Sequence, residues 1–203
     1  MNLPSTPSFS LKNKRALIAG ASSGIGLACA VALAEYGASI TIAARRSPKL
    51  EELSASLKDK GISTELVELD VSKTDRTLQT INRLDPFDIL VNSAGIAKHS
   101  LSVETKEADF DDVMSVNLKG AYFLTMAVAR RLMSANKSGS LINISSQMGL
   151  VGGQERAVYS ASKHAVEGFT KSIAIELGGS NIRVNTICPT FILTDLTKLT
   201  FDD

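Results

Sequence analysis

Gly20-Ala21-Ser22-Ser23-Gly24-Ile25-Gly26 joins a short apolar run over residues 15–19 to an apolar-periodic stretch over 25–36. Three glycines in seven residues permit a tight turn and a close approach of backbone to ligand. The helix that follows presents unpaired N–H groups at its first turn, where phosphate is favoured. Alone, such a turn is equally a plain tight connection. Placed after a strand, opening a helix and starting a βαβ unit, it predicts dinucleotide binding.

Outward from the turn, strand and helix signals alternate. Residues 39–43 are a β-branched strand, and Leu50, Leu53 and Leu57 mark one face of a charged helix. Residues 65–69 and 88–91 read as strands separated by a helix over 73–84. A long helix over 107–135 follows, then a strand at 140–144, a helix over 158–177 and a strand at 183–187. Strands alternating with helices imply a parallel sheet covered on both faces. The prediction is one dinucleotide-binding domain over 1–203, a doubly wound α/β fold of strand order 3-2-1-4-5-6, with its ligand beyond the carboxyl ends of the strands. Within 113–133, Val113, Met114, Val116, Leu118, Ala121, Phe123, Leu124, Val128 and Leu132 cover more of the circumference than one sheet-facing stripe needs. A subunit partner and a generously apolar core helix both account for that surface.

Composition narrows the function. The 203 residues are 44% hydrophobic and 21% charged, ordinary for a globular protein, with a net charge of +1. No basic block supports a nucleic-acid partner. Cys29 and Cys188 form no CxxC pair and are expected to be small core residues in a reducing compartment. The two histidines, His99 and His164, make no metal-ligand cluster. Residues 1–10 lack the features of a signal peptide, and no apolar run reaches membrane-spanning length, so a cytoplasmic protein without a membrane partner is expected. Asn136 and Asn143 head glycosylation sequons, but Asn143 falls in a predicted buried strand and neither follows a secretion signal.

The end of the second strand separates two cofactors. An acid there would bind a ribose 2′-hydroxyl, whereas arginine accommodates a 2′-phosphate. The chain reads Ala43-Ala44-Arg45-Arg46. Arg45 and Arg46 offer guanidinium donors, with Ser22 and Ser23 able to add hydroxyls, so NADP(H) is predicted. Tyr159-Ser160-Ala161-Ser162-Lys163 carries a second signal. Residues four apart share a helix face, placing the Lys163 ammonium near the Tyr159 phenol. A free tyrosine titrates near pH ~10, and a nearby positive charge lowers that value toward the range useful for proton transfer.

Together, the glycine turn, Asp70, Asn92-Ser93-Ala94-Gly95, Asn117, Ser146 and the Tyr159–Lys163 pair resemble the motif set of the short-chain dehydrogenase/reductases, over essentially the whole chain from Asn13. The likeness extends to 3-oxoacyl-acyl-carrier-protein reductases and to sugar and polyol dehydrogenases. The resemblance implies a Rossmann-like sheet and four catalytic residues. Tyr159 would be the general acid or base, and Lys163 would lower its pKa and bind the nicotinamide ribose. Ser146 would hold the substrate oxygen, with Ser145 the competing candidate. Asn117 would anchor a water linking Lys163 to solvent; a polar residue satisfying a helix kink is the alternative. Gly20, Ser22, Ser23, Gly24, Ile25 and Gly26 would cradle the cofactor, Arg45 and Arg46 its phosphate, and Asp70 with Val71 its adenine. Asn92, Ala94 and Gly95 would line its path, and Pro189, Ile192 and Thr194 would meet the carboxamide end.

Two departures stand out. Cys188-Pro189-Thr190 replaces a Pro-Gly common in the family. The chain also stops at Phe201-Asp202-Asp203, where members continue through a substrate-covering loop and helix to a further strand, so that C-terminal strand is expected to be missing. The expected reaction is hydride transfer between NADP(H) and a small carbonyl or alcohol, in a homodimer or homotetramer built through the helices around 107–135 and 158–177. The alternatives are an NAD-dependent polyol or steroid dehydrogenase and a non-catalytic, cofactor-binding regulatory protein. His164 is expected to point away from the site, and His99 lies in a loop that could border it.

Overall fold

The first strand, β1 (Arg15–Ala19), sends alternate side chains into two different cores. Ala16 and Ile18 enter one, Leu17 and Ala19 the other, and all four are at most 1% exposed. A strand buried on both faces is the mark of a sheet with helices on either side. This computed structural model describes residues 6, 8–45, 47–194 and 197; Arg46 and the chain end at Phe201-Asp202-Asp203 fall outside the described residues.

β1 pairs with β2 (Ser39–Ala44) on one side and β4 (Ile89–Asn92) on the other. β3 (Thr64–Glu68), β5 (Gly139–Ile144) and β6 (Ile182–Ile187) complete a parallel six-stranded sheet of order β3-β2-β1-β4-β5-β6. The order predicted from the sequence is the order found. In β4, Ile89 and Val91 face the same core as Ile18, while Leu90 faces the opposite one. The edge strand β6 alternates differently: Ile182 and Val184 are buried, Arg183 and Asn185 exposed.

α1 (Gly24–Glu35) and α2 (Ser47–Asp59) cover one face, with Ala30, Ala34, Leu50, Leu53 and Leu57 buried there. α3 (Thr74–Arg83), α5 (Ala121–Ser134) and α6 (Ala157–Gly178) cover the other through Ile81, Leu124, Val128, Leu132, Ile173 and Leu177. The helix predicted over 107–135 is interrupted. α4 (Glu107–Met114) runs into a π turn over Ser115–Gly120 before α5 begins. Such wide turns insert a residue into the helix and are frequent at functional sites. Tyr122, Met133 and Phe110 remain solvent-facing on this helical stretch. Among the described residues no helix is long and apolar enough to cross a membrane.

The order in which strands are added reverses between β1 and β4: β2 and β3 extend one way from β1, and β4, β5 and β6 the other. The loops at the carboxyl ends of β1 and β4 diverge there and leave a crevice. Lys98, in the loop after β4, is tied to α4 through Asp109 (2.6 Å) and Asp112 (2.7 Å), and both carboxylates raise its pKa. Every strand therefore delivers its following loop to the same edge of the sheet.

Candidate active site

A cleft of about 260 Å³ runs along that edge from the turn after β1 to the start of α6. At one end the wall is Gly20, Ser22, Ser23, Gly24 and Ile25, with Arg45 at the end of β2 and Asp70 and Val71 beyond β3. Gly26 lies behind the wall. A Cβ at Gly26 would press into the Gly20 carbonyl oxygen, so only glycine lets α1 start this close to the turn. Asp70 Oδ1 accepts from Ser72 N (3.0 Å) and Ser72 Oγ (2.7 Å), which fixes the loop.

Ala94 and Gly95 continue the wall, but Asn92 does not. Asn92 is 3% exposed; its Nδ2 donates to Asn143 Oδ1 (3.1 Å), and its Oδ1 accepts from Ala94 N (3.3 Å). Its contribution to the cleft is to shape the backbone carrying Ala94. Pro189, Ile192 and Thr194 face the cleft beyond β6.

The reactive end gathers side chains from three elements. Ser146 follows β5, while Tyr159 and Lys163 stand one turn apart on α6, and all three face the cleft. The Ser146 hydroxyl hydrogen-bonds the Tyr159 phenol, and the Lys163 Nζ lies 5.6 Å from the centre of the Tyr159 ring. Ser145, the competing candidate, also lines the cleft; it is buried, and its side chain hydrogen-bonds Cys188. Asn117, in the π turn, is 1% exposed and lies beneath the wall. Its Oδ1 accepts from Ile96 N (2.9 Å), while its Nδ2 donates to Ile96 O (2.9 Å) and Ser162 Oγ (3.1 Å). Asn117 therefore clamps the loop after β4 to α6.

Titration differs here from the simple expectation of spacing. Burial raises the Tyr159 phenol above its ordinary value, against the opposing pull of Ser146 and then Arg156. Lys163 donates to the Ile144 carbonyl (2.9 Å) and is 5% exposed. Burial lowers its pKa to about 8, which Cys188 and Glu167 partly resist. The lysine is thus placed beside the phenol, yet its proton is directed at a backbone carbonyl.

Five further residues stand on or behind this end. Glu167, one turn after Lys163, accepts from Thr186 Oγ1 (3.0 Å) and Cys188 Sγ (3.3 Å). Its spacing from Lys163 was the available signal. The expectation of an apolar setting for Cys188 is corrected: the half-buried thiol faces a carboxylate, and burial and then Glu167 raise its pKa. Cys29 is half-buried against the α1–α2 core. His99, Gln147 and Arg156 also stand on the wall. No motif marks Arg156, because its position depends on the fold of the loop before α6. His164 is exposed on α6, with Nδ1 2.9 Å from the Ser160 carbonyl, clear of the cleft. Among the described residues no group of His, Cys, Asp and Glu is placed to hold a metal ion.

The cleft thus has a glycine-rich turn at one end and a hydroxyl–phenol–ammonium group at the other. The short chain dehydrogenase family model matches residues 14–203. The 3-oxoacyl-acyl-carrier-protein reductase of Vibrio harveyi is 38% identical over 196 residues, covering 96% of this chain and 80% of the relative. A gluconate 5-dehydrogenase from Burkholderia cenocepacia, solved with NADP and tartrate, superimposes with a TM-score of 0.92 at 33% identity, over 96% of this chain and 78% of that one. A variant actinorhodin polyketide ketoreductase with NADPH gives 0.88 at 31% identity, over 94% and 76%. The chain belongs to the short-chain dehydrogenase/reductase family. It is an oxidoreductase whose hydride carrier is a nicotinamide cofactor.

Proposed function

We propose that the chain catalyses NADP(H)-dependent interconversion of a small ketone or aldehyde and its alcohol, with Tyr159 as general acid or base. The observation that carries this reading is the convergence of Ser146, Tyr159 and Lys163 on the wall of the cleft that begins at the glycine turn. The residues fit the cofactor: Gly26 allows backbone approach at the turn, and Arg45 stands beside Ser22 and Ser23 where a 2′-phosphate would be bound. The bound cofactor supplies the hydride, leaving the protein to position reactants and move one proton.

Ser146 donates to the substrate oxygen and holds it beside the Tyr159 hydroxyl. Tyr159 gives its proton to that oxygen as negative charge develops there; in the oxidation direction it takes the proton back. Lys163, charged or neutral near its pKa of about 8, sits close enough to exchange a proton with its surroundings during turnover. Asn117 keeps α6 and the loop after β4 in register. We place the protein in the cytoplasm, as a homodimer or homotetramer through the helices around 107–135 and 158–177; the solvent-facing Tyr122, Met133 and Ile175 support those surfaces.

Replacing Tyr159 with phenylalanine tests the proton step. Tyr159→Phe should lower kcat by about 10²–10⁴-fold while the Kd for NADPH stays within about twofold. Retention of most activity would remove Tyr159 from the role.

A further inference from the structure

We propose that Glu167 is a positioning residue of the reaction: it locks the exit of β6 onto the helix that carries Tyr159 and Lys163, and so sets the wall along the hydride-carrying end of the cofactor. The inference rests on the carbonyl reductase reading above and adds to it a residue from outside the cleft.

Glu167 is 7% exposed on α6, and both of its carboxyl oxygens are taken from the β6 side. Oε2 accepts from Thr186 Oγ1 (3.0 Å), and Oε1 accepts from Cys188 Sγ (3.3 Å). Thr186 and Cys188 flank the half-exposed Ile187, so the carboxyl grips the strand at its exit and from one side. Gly149, in the loop after β5, packs against the same stem. A Cβ there would come within 3.2 Å of Glu167 Cγ, 3.1 Å of the Lys163 carbonyl oxygen and 2.9 Å of Ser145 Oγ. Glu167 thus stands one helical turn from Lys163, where α6, the loop after β5 and the exit of β6 converge.

Farther from the cleft, α6 and β6 meet through apolar side chains, with Ile173, Leu177, Ile182 and Val184 in one cluster. At the cleft end the contact is polar. A buried carboxyl carries a desolvation cost that an apolar side chain avoids, so the grip is weak evidence for stability. What its hydrogen bonds add to packing is direction.

What they direct is the segment after β6. The Pro189 carbonyl accepts from Gln147 N (2.9 Å), next to Ser146. At the other end Thr194 crosses the glycine turn, where a Cβ at Gly24 would lie 3.2 Å from Thr194 Cγ2. Pro189, Ile192 and Thr194 all line the cleft. The segment therefore runs from the reactive end to the turn, and a cofactor extended between the two lies along it. Hydride must reach the carbon whose oxygen takes the Tyr159 proton, so a shift of this wall against α6 separates donor from acid.

The test separates the two halves of the cofactor. NADPH carries the nicotinamide and adenosine 2′,5′-bisphosphate does not; both are titrated against the full chain. Glu167→Leu removes both acceptors. It should weaken NADPH about tenfold and move the emission of bound NADPH toward that of the free cofactor, while affinity for the bisphosphate stays within about twofold. Glu167→Gln keeps one oxygen and should fall between. Thr186→Val takes away one donor from the strand, answers the same question if Glu167→Leu does not fold, and should show the selective loss at about threefold. Combining Thr186→Val with Glu167→Gln should cost little beyond the larger single effect, because both break one contact. Equal losses of the two ligands, unchanged NADPH binding in the single variants, or additive losses in the double variant overturns the proposal. If NADPH bound to the wild-type chain emits as the free cofactor, the reading of the cleft is what has failed. Amide hydrogen exchange over residues 190–194 then decides the grip: faster exchange in Glu167→Gln supports it, and exchange equal to wild type sinks it.

Discussion

The two ends of the cleft are built by different means. At the turn after β1 the wall is mostly backbone, with glycines and a crowded approach that tolerates no side chain at Gly26. At the start of α6 the wall is made of side chains from α6 and the loop after β5, and burial shifts the titration of Tyr159 and Lys163 there. The contrast separates what each end is sensitive to. Added bulk damages the first, whereas a change of charge or hydroxyl damages the second.

Three substitutions sharpen that contrast, in falling order of effect. Gly26→Ala places a methyl group against the Gly20 carbonyl, which a packed backbone cannot absorb cheaply. Overpacking of that kind costs about 3 kcal/mol or more, so thermal denaturation should show Tm lower by roughly 6–12 °C. NADPH fluorescence titration should show binding largely lost. An unchanged Tm with unchanged binding would mean the turn is more pliant than its packing indicates.

Lys163→Met should do the reverse at the other end. Burial holds the folded-state pKa at about 8 against 10.5 for a free lysine. Below pH 8 the folded chain carries a desolvated charge that the unfolded chain carries in water. Between pH 8 and 10.5 the folded chain has lost that proton while the unfolded chain keeps it, so stability from this group recovers as pH rises. At pH 7 Lys163→Met should therefore be more stable by about 1–3 kcal/mol, after allowance for the Ile144 carbonyl it leaves unpaired. Its kcat should fall at the same time. Urea denaturation at pH 7 and pH 10 checks the sign: the advantage of the variant should shrink at the higher pH.

Arg45→Ala is the mildest. It removes donors from the wall without touching packing, since the side chain is exposed. Affinity for NADPH should drop about tenfold, while affinity for NADH changes by less than about twofold. Equal losses for both cofactors would leave the 2′-phosphate unassigned.

The backbone end was the more legible of the two. Glycine spacing, the apolar run over residues 15–19 and Arg45 at a strand end are local signals, and the strand order followed from the alternation of elements. Asn92 shows where a local signal misleads: it sits in a cleft-forming motif, yet its side chain enters the sheet to meet Asn143. At the side-chain end, helical spacing placed Lys163 beside Tyr159, but no spacing rule specifies a rotamer, and Nζ turns to Ile144. Arg156 was invisible because a loop conformation brings it to the wall. The π turn was hidden for a related reason: apolar periodicity over 107–135 continues on both sides of it.

That π turn also restricts how the fold can change. One extra residue in a helix rotates everything after it by about 100°. Leu124, Val128 and Leu132 reach the core only with that rotation included. Deleting a residue between Ser115 and Gly120 to regularise the helix would swing this apolar row out of the sheet, so the irregular turn that holds Asn117 is retained by the packing downstream as firmly as by anything it does for the cleft. A lineage carrying this geometry can drift in sequence around it, but has no single-step route to straightening it.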